Sequence, residues 1–416
     1  MQKFTLWIKR QYGGKSDPAA LLMQIDRLSV NSILIYLSFG SVFFLSSQSA
    51  ASWWTYILLL VVLVTYRQWG DLMAGRVAIM IAVVLAYFFF SSFWSEPFVW
   101  RDVVSVASRC LVTFAFVVTF AECQIRGHLN KWLCLIVGCI GSGAALVAVY
   151  FFFSDPPPFN RLIGLGQLDN NVIAGLMFAV AAVMSLHGAF FQNGTEPWRK
   201  WLLMGCAAIL VVAVVMTGSR NAWISLVVGC AMLWLVNLIP NFRTLLLTSI
   251  AAGLIAVSIL LLGLQNETVG EWLLPRGSSY RFEIWAHFLQ RISEEGWLFG
   301  AGINTNDDVA GIGPYVMEHA HSMYISILFQ GGVLGFALVL ALMVYVVQAL
   351  ARNYELRDAK MAIVILAMAA VAYIFDGHEF IDKVGLSWLM IWLPTAIAMG
   401  VSSRSLYAMN RTLPDA

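Results

Sequence analysis

The feature that most constrains this chain is a succession of long apolar runs, most near the ~20 residues a helix needs to cross a hydrocarbon layer. They occupy 31–47, 53–66, 77–93, 103–121, 132–153, 171–190, 201–216, 222–239, 245–264, 323–350, 361–375 and 385–401. The shorter ones must borrow flanking residues. Hydrophobic residues make up 60% of the 416 and charged residues 12%, against about 45–50% and about 25% in globular domains. A soluble fold with so few charges could not cover its own surface. The expected fold class is an all-α polytopic membrane protein with about twelve transmembrane helices. The runs are unbroken, so the alternating strands of an outer-membrane barrel are not expected.

Composition excludes other classes. A net charge of +2 leaves no overall basic field for nucleic acid. Low charge with 27 Phe and 16 Trp is the reverse of a disordered composition. Cys110, Cys123, Cys134, Cys139, Cys206 and Cys230 form no CxxC pair and read as small core residues. Residues 1–30 are polar and basic, without a short apolar core and cleavage site. A cytoplasmic amphipathic lead-in is expected there, not a signal peptide.

Basic residues set the orientation. One set of loops carries seventeen Lys and Arg, among them Lys9, Arg76, Lys131, Arg199, Lys200, Arg243, Arg352, Arg357, Lys360 and Arg411. The other carries seven: Arg101, Arg161, Arg220, Arg276, Arg281, Arg291 and Lys383. Arg109 lies within the fourth run. Both termini are expected in the cytoplasm. Three regions follow: 1–264 with helices one to nine, 265–322 as one large outer loop with amphipathic helices, and 323–416 with helices ten to twelve. Four of six histidines, His287, His319, His321 and His378, fall on the outer side, so chemistry is expected there. No repeat or inverted symmetry is visible. Pro156-Pro157-Pro158 reads as a stiff outer turn.

Three outer residues resist explanation as solvated polar groups. Arg220 follows Thr217-Gly218-Ser219, with Ser219 as the expected N-cap of the next helix. A cation is unfavourable at that positive dipole end. Backbone N–H groups plus a guanidinium would, however, make a phosphate site; the alternative is an arginine snorkelling to headgroups. Arg281 opens a segment with apolar residues at 284, 285, 288, 289 and 292. These form one face of an amphipathic helix, and Arg281 lies near its middle while Arg291 lies at its edge. It is either snorkelling or aimed at a ligand. His321 immediately precedes the tenth run. The dipole at a helix start disfavours imidazolium and favours a basic, neutral ring; polar punctuation is the alternative.

Other candidates have plainer readings. His319 and His321 form a His-x-His pair that could also suggest metal, but two ligands without a third carry little weight. Asp169 precedes Asn170 and Asn171 at the mouth of the sixth run, where an Asx cap is expected. Asp376, Glu379 and Asp382 share the last outer loop with His378 and Lys383, and mutual salt bridging is expected among them. Arg109 must be paired or near an interface. Two arginines and one histidine facing one compartment suit displacement of a lipid diphosphate by an alcohol: guanidinium grips phosphate, and a neutral imidazole takes the hydroxyl proton.

At these residues the chain resembles the O-antigen ligase family, within the wider O-antigen ligase and polymerase superfamily. His321-Ser322, nine residues and Gly332-Val333-Leu334-Gly335 match its histidine, Asn/Ser/Gln, nine-residue, Gly-x-x-Gly signature. Arg281 to Trp285 and Gly300-Ala301-Gly302 look like its Arg-x-x-x-Trp…Gly-x-Gly segment, and Thr217 to Arg220 like its arginine turn. The resemblance implies lipopolysaccharide biosynthesis: a glycosyltransferase moving polymerised glycan from undecaprenyl diphosphate to a lipid A–core sugar. This would occur at the periplasmic face of the bacterial cell inner membrane, without metal or other cofactor, and with inversion. His321 would deprotonate the acceptor; Arg220 and Arg281 would hold the diphosphate. The loop 47–52 contains no acidic residue, whereas metal-dependent oligosaccharyltransferases place an acidic motif there. An O-antigen polymerase or protein O-oligosaccharyltransferase would share the donor chemistry. A solute transporter is the reading from another class; it calls for polar pairs and broken helices near mid-membrane, whereas the unusual residues here sit at the outer edge.

Overall fold

The computed structural model describes residues 40–41, 56–57, 75–125, 132–157, 160–192, 195–264, 280–309, 319–377 and 379–410. Within them the helices, numbered in chain order, are α1 (Arg76–Ser91), α2 (Trp100–Ile125), α3 (Leu133–Ser154), α4 (Asn171–Phe190), α5 (Pro197–Met216), α6 (Arg220–Leu238), α7 (Phe242–Leu264), α8 (Arg281–Glu295), α9 (Met323–Arg352), α10 (Arg357–Phe375) and α11 (Leu393–Asn410). A π-helical stretch, Trp388–Trp392, leads into α11. No β-strand occurs among the described residues. Among the described residues seven helices are long and apolar enough to cross a membrane, and Arg76–Ser91, Phe242–Ala256 and Trp388–Ser403 are shorter apolar helices. Every apolar run from 77–93 onward falls on described helix; the first two, and the lead-in 1–30, lie almost wholly outside the described residues.

The centre of the bundle is α4. Its residues from Ala174 to Ser185 are buried all round, as a helix apolar on every face must be. It packs against α3, α5 and α6, and small residues permit the close approach. A Cβ at Gly175 would lie 2.7 Å from Ala222 Cβ and 2.9 Å from Thr217 Oγ1. The head of α4 is thus pressed onto the turn that carries Arg220. Cys110, Cys134 and Cys206 are buried in the bundle as expected, but Cys139 is exposed. An apolar thiol on a surface that faces lipid carries little penalty.

The tenth run departs from a simple span. α9 is broken at Gly332, whose φ of 61° and ψ of −170° are non-helical. Only 333–352 continues beyond the break, rising about 30 Å, the thickness of a hydrocarbon core. The segment Met323–Gly331 is a separate short helix. A break releases backbone groups that must find partners. Here the loop after α8 supplies them: the N–H groups of Ala301 and Gly302 donate to Phe329 and Gln330 oxygens at 2.8 and 3.0 Å, and those of Val333 and Leu334 donate to Trp297 and Leu298 oxygens at 2.9 and 3.1 Å. Such pairing requires backbone contact. A Cβ at Gly300 (φ 75°) would lie 2.3 Å from Gly332 N, and one at Gly332 2.4 Å from Leu298 O. The two glycine motifs read separately in the sequence are halves of one joint.

The α1–α2 hairpin clamps this joint. Tyr87 Oη donates to Gly331 O at 2.7 Å, Ile303 N–H donates to Ser91 Oγ at 3.2 Å, and Asn304 N–H to Ser95 Oγ at 3.0 Å. The amphipathic helix α8 has its own small core: Ile284, Phe288 and Ile292 pack with Val309, Ala320 and Phe329. Leu289, assigned to the same face, is 51% exposed, because at 3.6 residues per turn it stands at the edge of that face, well round the helix from Ile284 and Phe288. Gly300→Ala should lower stability by about 3 kcal/mol or more, since backbone on both sides cannot yield. Gly205→Ala, where a Cβ meets nothing within 4 Å, should leave it unchanged or slightly raised. Thermal unfolding midpoints in detergent, followed by tryptophan fluorescence, check both.

Candidate active site

Chain direction decides which ends meet. α5 ends at Met216 and α6 starts at Arg220, α9 starts at Met323, and α10 ends at Phe375. Contacts between them gather Arg220, Arg281, His321 and Asp376 at one end of the bundle. The starts of α5, α7 and α10 and the end of α9, bearing Arg199, Lys200, Arg243, Arg357 and Arg352, are therefore at the other.

Ser219 caps α6 as expected, its hydroxyl accepting from Ala222 N–H at 3.3 Å, and Arg220 occupies the first helical position. The turn before it is braced from α4, where Asn171 Nδ2 donates to Thr217 O at 3.2 Å. Asn171 is thus a support for the arginine turn. The cap of α4 is Asn170, accepting from Val172 and Ile173 N–H groups. Asp169 is exposed beside it and ends a 3₁₀ turn.

α8 ties the rest together with one turn of helix. Arg281 Nε donates to Phe375 O at 3.2 Å, the residue before Asp376. Trp285 Nε1 donates to Ala320 O at 3.1 Å, the residue before His321. The four-residue spacing of Arg281 and Trp285 therefore sets the distance between the acidic and the imidazole strands. The start of α9 is stitched to the end of α10 by Tyr324 Oη donating to Ala370 O at 2.9 Å and Ser322 Oγ donating to Tyr373 O at 3.4 Å. Burial pushes the Arg281 guanidinium below its usual pKa, Asp376 opposes that shift, and the nearby Arg220 charge adds to it. Arg281 remains a cation at neutral pH regardless.

His321 sits just before the N-cap Ser322 in left-handed backbone, φ 48°, which is uncommon without a glycine. Its own N–H donates to His319 Nδ1 at 3.1 Å, and the two rings lie 4.1 Å apart. His321 Nδ1 faces Asp376 Oδ1 at 3.7 Å, with 32% of the histidine side chain exposed. That exposure leaves the ring accessible to a hydroxyl. Burial works to raise the Asp376 carboxyl, but the facing His321, the Gly377 N–H and His319 outweigh it and hold it below the usual carboxylate range.

Asp376 corrects the expected salt-bridging within the last loop. It turns to His321, and Glu379 pairs with Arg109 of α2; His378 lies outside the described residues. The partners come from elements distant in sequence because packing sets α2 and the start of α9 beside this loop, where the Arg109–Glu379 pair is largely buried. Asp376 was still legible in one respect: an acid at a helix C-terminus opposes the dipole and so calls for a cationic or hydrogen-bonding partner. His319, His321 and Asp376 offer ligand atoms all within 4.8 Å of one another. The third ligand absent from the His-x-His reading comes from α10, and the set is chemically able to hold a divalent ion.

Residues 205–340 match the O-antigen ligase family model. Over that third of its length the chain is similar to this family. Its matched segment includes Arg220, Arg281, His321, Gly332 and Gly335 and stops before Asp376. The chain is also 25% identical over 364 residues to an O-antigen ligase of Pseudomonas aeruginosa, covering 85% of this chain and 84% of that one. The matched segment thus spans both halves of the glycine joint and both arginines, while the end of α10 brings the carboxylate from outside it.

Two outcomes follow. Arg109→Met should destabilise by on the order of 3 kcal/mol by taking the guanidinium away from the largely buried Glu379, and Arg109→Met with Glu379→Met should recover part of that loss; unfolding midpoints of the two variants and the wild type measure it. Because the Asp376 carboxyl is held below its ordinary value of 3.8, its contribution is complete above that pH and is lost as pH falls through the depressed value. The midpoint difference between wild type and Asp376→Asn should be largest at neutral pH and vanish in strong acid.

Proposed function

We propose that this protein is an O-antigen ligase that transfers glycan from undecaprenyl diphosphate to a lipid A–core hydroxyl at the periplasmic face of the inner membrane. One observation carries the reading: the arginines and histidine of the matched segment, far apart in sequence, converge with a carboxylate at one end of the bundle. The family match and the Pseudomonas aeruginosa relative support glycosyl transfer. The distribution of basic residues supports that end as the outer one, with twelve spans in all and residues 265–322 as a periplasmic loop.

In this mechanism Asp376 orients the imidazole through Nδ1, leaving Nε2 as the basic nitrogen for the acceptor hydroxyl. As the hydroxyl oxygen bonds to the anomeric carbon, its proton passes to Nε2. The bond from that carbon to the diphosphate oxygen breaks, and the electron pair leaves on undecaprenyl diphosphate. Arg220 and Arg281 offset the charge that develops there. Attack opposite the leaving group inverts the anomeric carbon. No metal is needed for any of these steps. An ion at His319, His321 and Asp376 would occupy the base.

Transfer in nanodiscs, using a lipid-linked glycan and purified lipid A–core, tests the reading. His321→Ala should reduce turnover by about 10²–10⁴-fold while still inserting. Arg281→Lys should also be poor because lysine lacks the planar fork. Chelators should leave the rate unchanged and zinc should inhibit. Near-normal transfer by His321→Ala would overturn the assignment of the base. Transfer to a growing glycan or a serine-containing protein, but not to lipid A–core, would replace the ligase by a polymerase or protein glycosyltransferase. Solute uptake without glycan transfer would replace it by a transporter.

A further inference from the structure

The loop joining α3 to α4 lays another arginine against the Arg220 turn. By sequence alone Arg161 is one of seven outer basic residues. In the folded protein its stem crosses Gly218: a Cβ built there would lie 3.6 Å from Arg161 Cγ and 3.8 Å from both Cδ and Nε. Gly218, at φ 61°, presents bare backbone to it. The position is pinned from the next residue, since Leu162 N–H donates to Met216 O at 2.9 Å, at the end of α5. Arg161 is half-buried and, among the described residues, no carboxylate pairs with it. Asp169 of the same loop is exposed, and Asp376 is committed to His321.

Arg161 touches the Gly218 turn that carries Arg220, the charges of Arg220 and Asp376 bear on Arg281, and Asp376 faces His321, a row of neighbours that ends at the imidazole. We infer that Arg161 is a third binding residue for the donor diphosphate, reaching it across the Gly218 turn. The inference rests on the glycosyl-transfer reading and extends it. Charge balance points the same way. A glycosyl polyprenyl diphosphate carries one negative charge on each phosphate, and cleavage of the sugar–oxygen bond leaves one more on the departing diphosphate. Two arginines match the bound donor, and a third matches the leaving group. Arg161 should therefore favour the diphosphate product over a polyprenyl monophosphate, which has no second phosphate to span the row.

The test measures inhibition of glycan transfer by undecaprenyl diphosphate and by undecaprenyl phosphate, with full-length protein in nanodiscs of zwitterionic lipid. For Arg161→Ala and Arg161→Gln, undecaprenyl diphosphate should inhibit about tenfold less well, the factor of one charge-assisted hydrogen bond. Inhibition by undecaprenyl phosphate should change by less than about twofold, within the range of a distant substitution. Arg161→Lys should fall between Ala and wild type. Arg101→Ala, at an exposed arginine in the first turn of α2, should match wild type. Unchanged inhibition by both lipids, or equal weakening for both, overturns the inference, as does a defect confined to nanodiscs of anionic lipid. A wild-type protein that transfers no glycan sinks the underlying reading instead.

Discussion

The structure depends on a backbone joint. Where α9 breaks at Gly332, two carbonyls and two N–H groups lose their helical partners, and residues 297–302 take all four. In a dry or lipid-facing setting each would otherwise carry a penalty of several kcal/mol. Side chains at the joint would separate the two backbones, which is why glycine stands at 300 and 332. The joint holds the short helix Met323–Gly331 at a set angle to the span beyond it. His321, at the head of that short helix, inherits its place from this arrangement. The clamp by Tyr87, Ser91 and Ser95 then ties the joint to α1, so the site is braced by a helix that contributes no reacting group.

A second constraint is electrostatic. Arg220 and Arg281 are close enough for one charge to bear on the other, and Arg161 approaches the same turn. Cations gathered at one end of a helix bundle repel one another and lose hydration. The carboxylate nearest them, Asp376, faces His321, and Arg281 leans on the Phe375 carbonyl. An arrangement of this kind is relieved by an anion. The tension also explains the dense stitching of α8, α9 and α10 around the site: Trp285, Tyr324 and Ser322 each reach a backbone carbonyl on a neighbouring element. Rigid support holds the groups where repulsion alone would spread them.

Much of the fold was legible along the chain because apolar runs of helical length have few alternatives. The runs at 171–190 and 201–216 coincide closely with α4 and α5, and Ser219 announced the start of α6. The break in α9 was less visible: Val, Leu and Phe continue past Gly332, so hydropathy alone joins two helices into one. The amphipathic face of α8 was correctly aligned through Ile284, Phe288 and Ile292. Leu289 stands at the edge of that face, where periodicity does not settle whether a neighbour covers it.

The sequence by itself determined which residues were unusual and what chemistry they could do. Arg220, Arg281 and His321 stand out because charge and imidazole beside apolar runs must be explained by a partner or a ligand. Their partners were settled only in three dimensions. Asp376 joins His321 and not Lys383, Glu379 joins Arg109 across 270 residues, and Arg161 meets the Gly218 turn. The physical reason is that spacing along a helix is fixed by backbone hydrogen bonding, and so can be read locally. Which helix ends lie side by side is decided by the packing of whole faces, which no local stretch encodes.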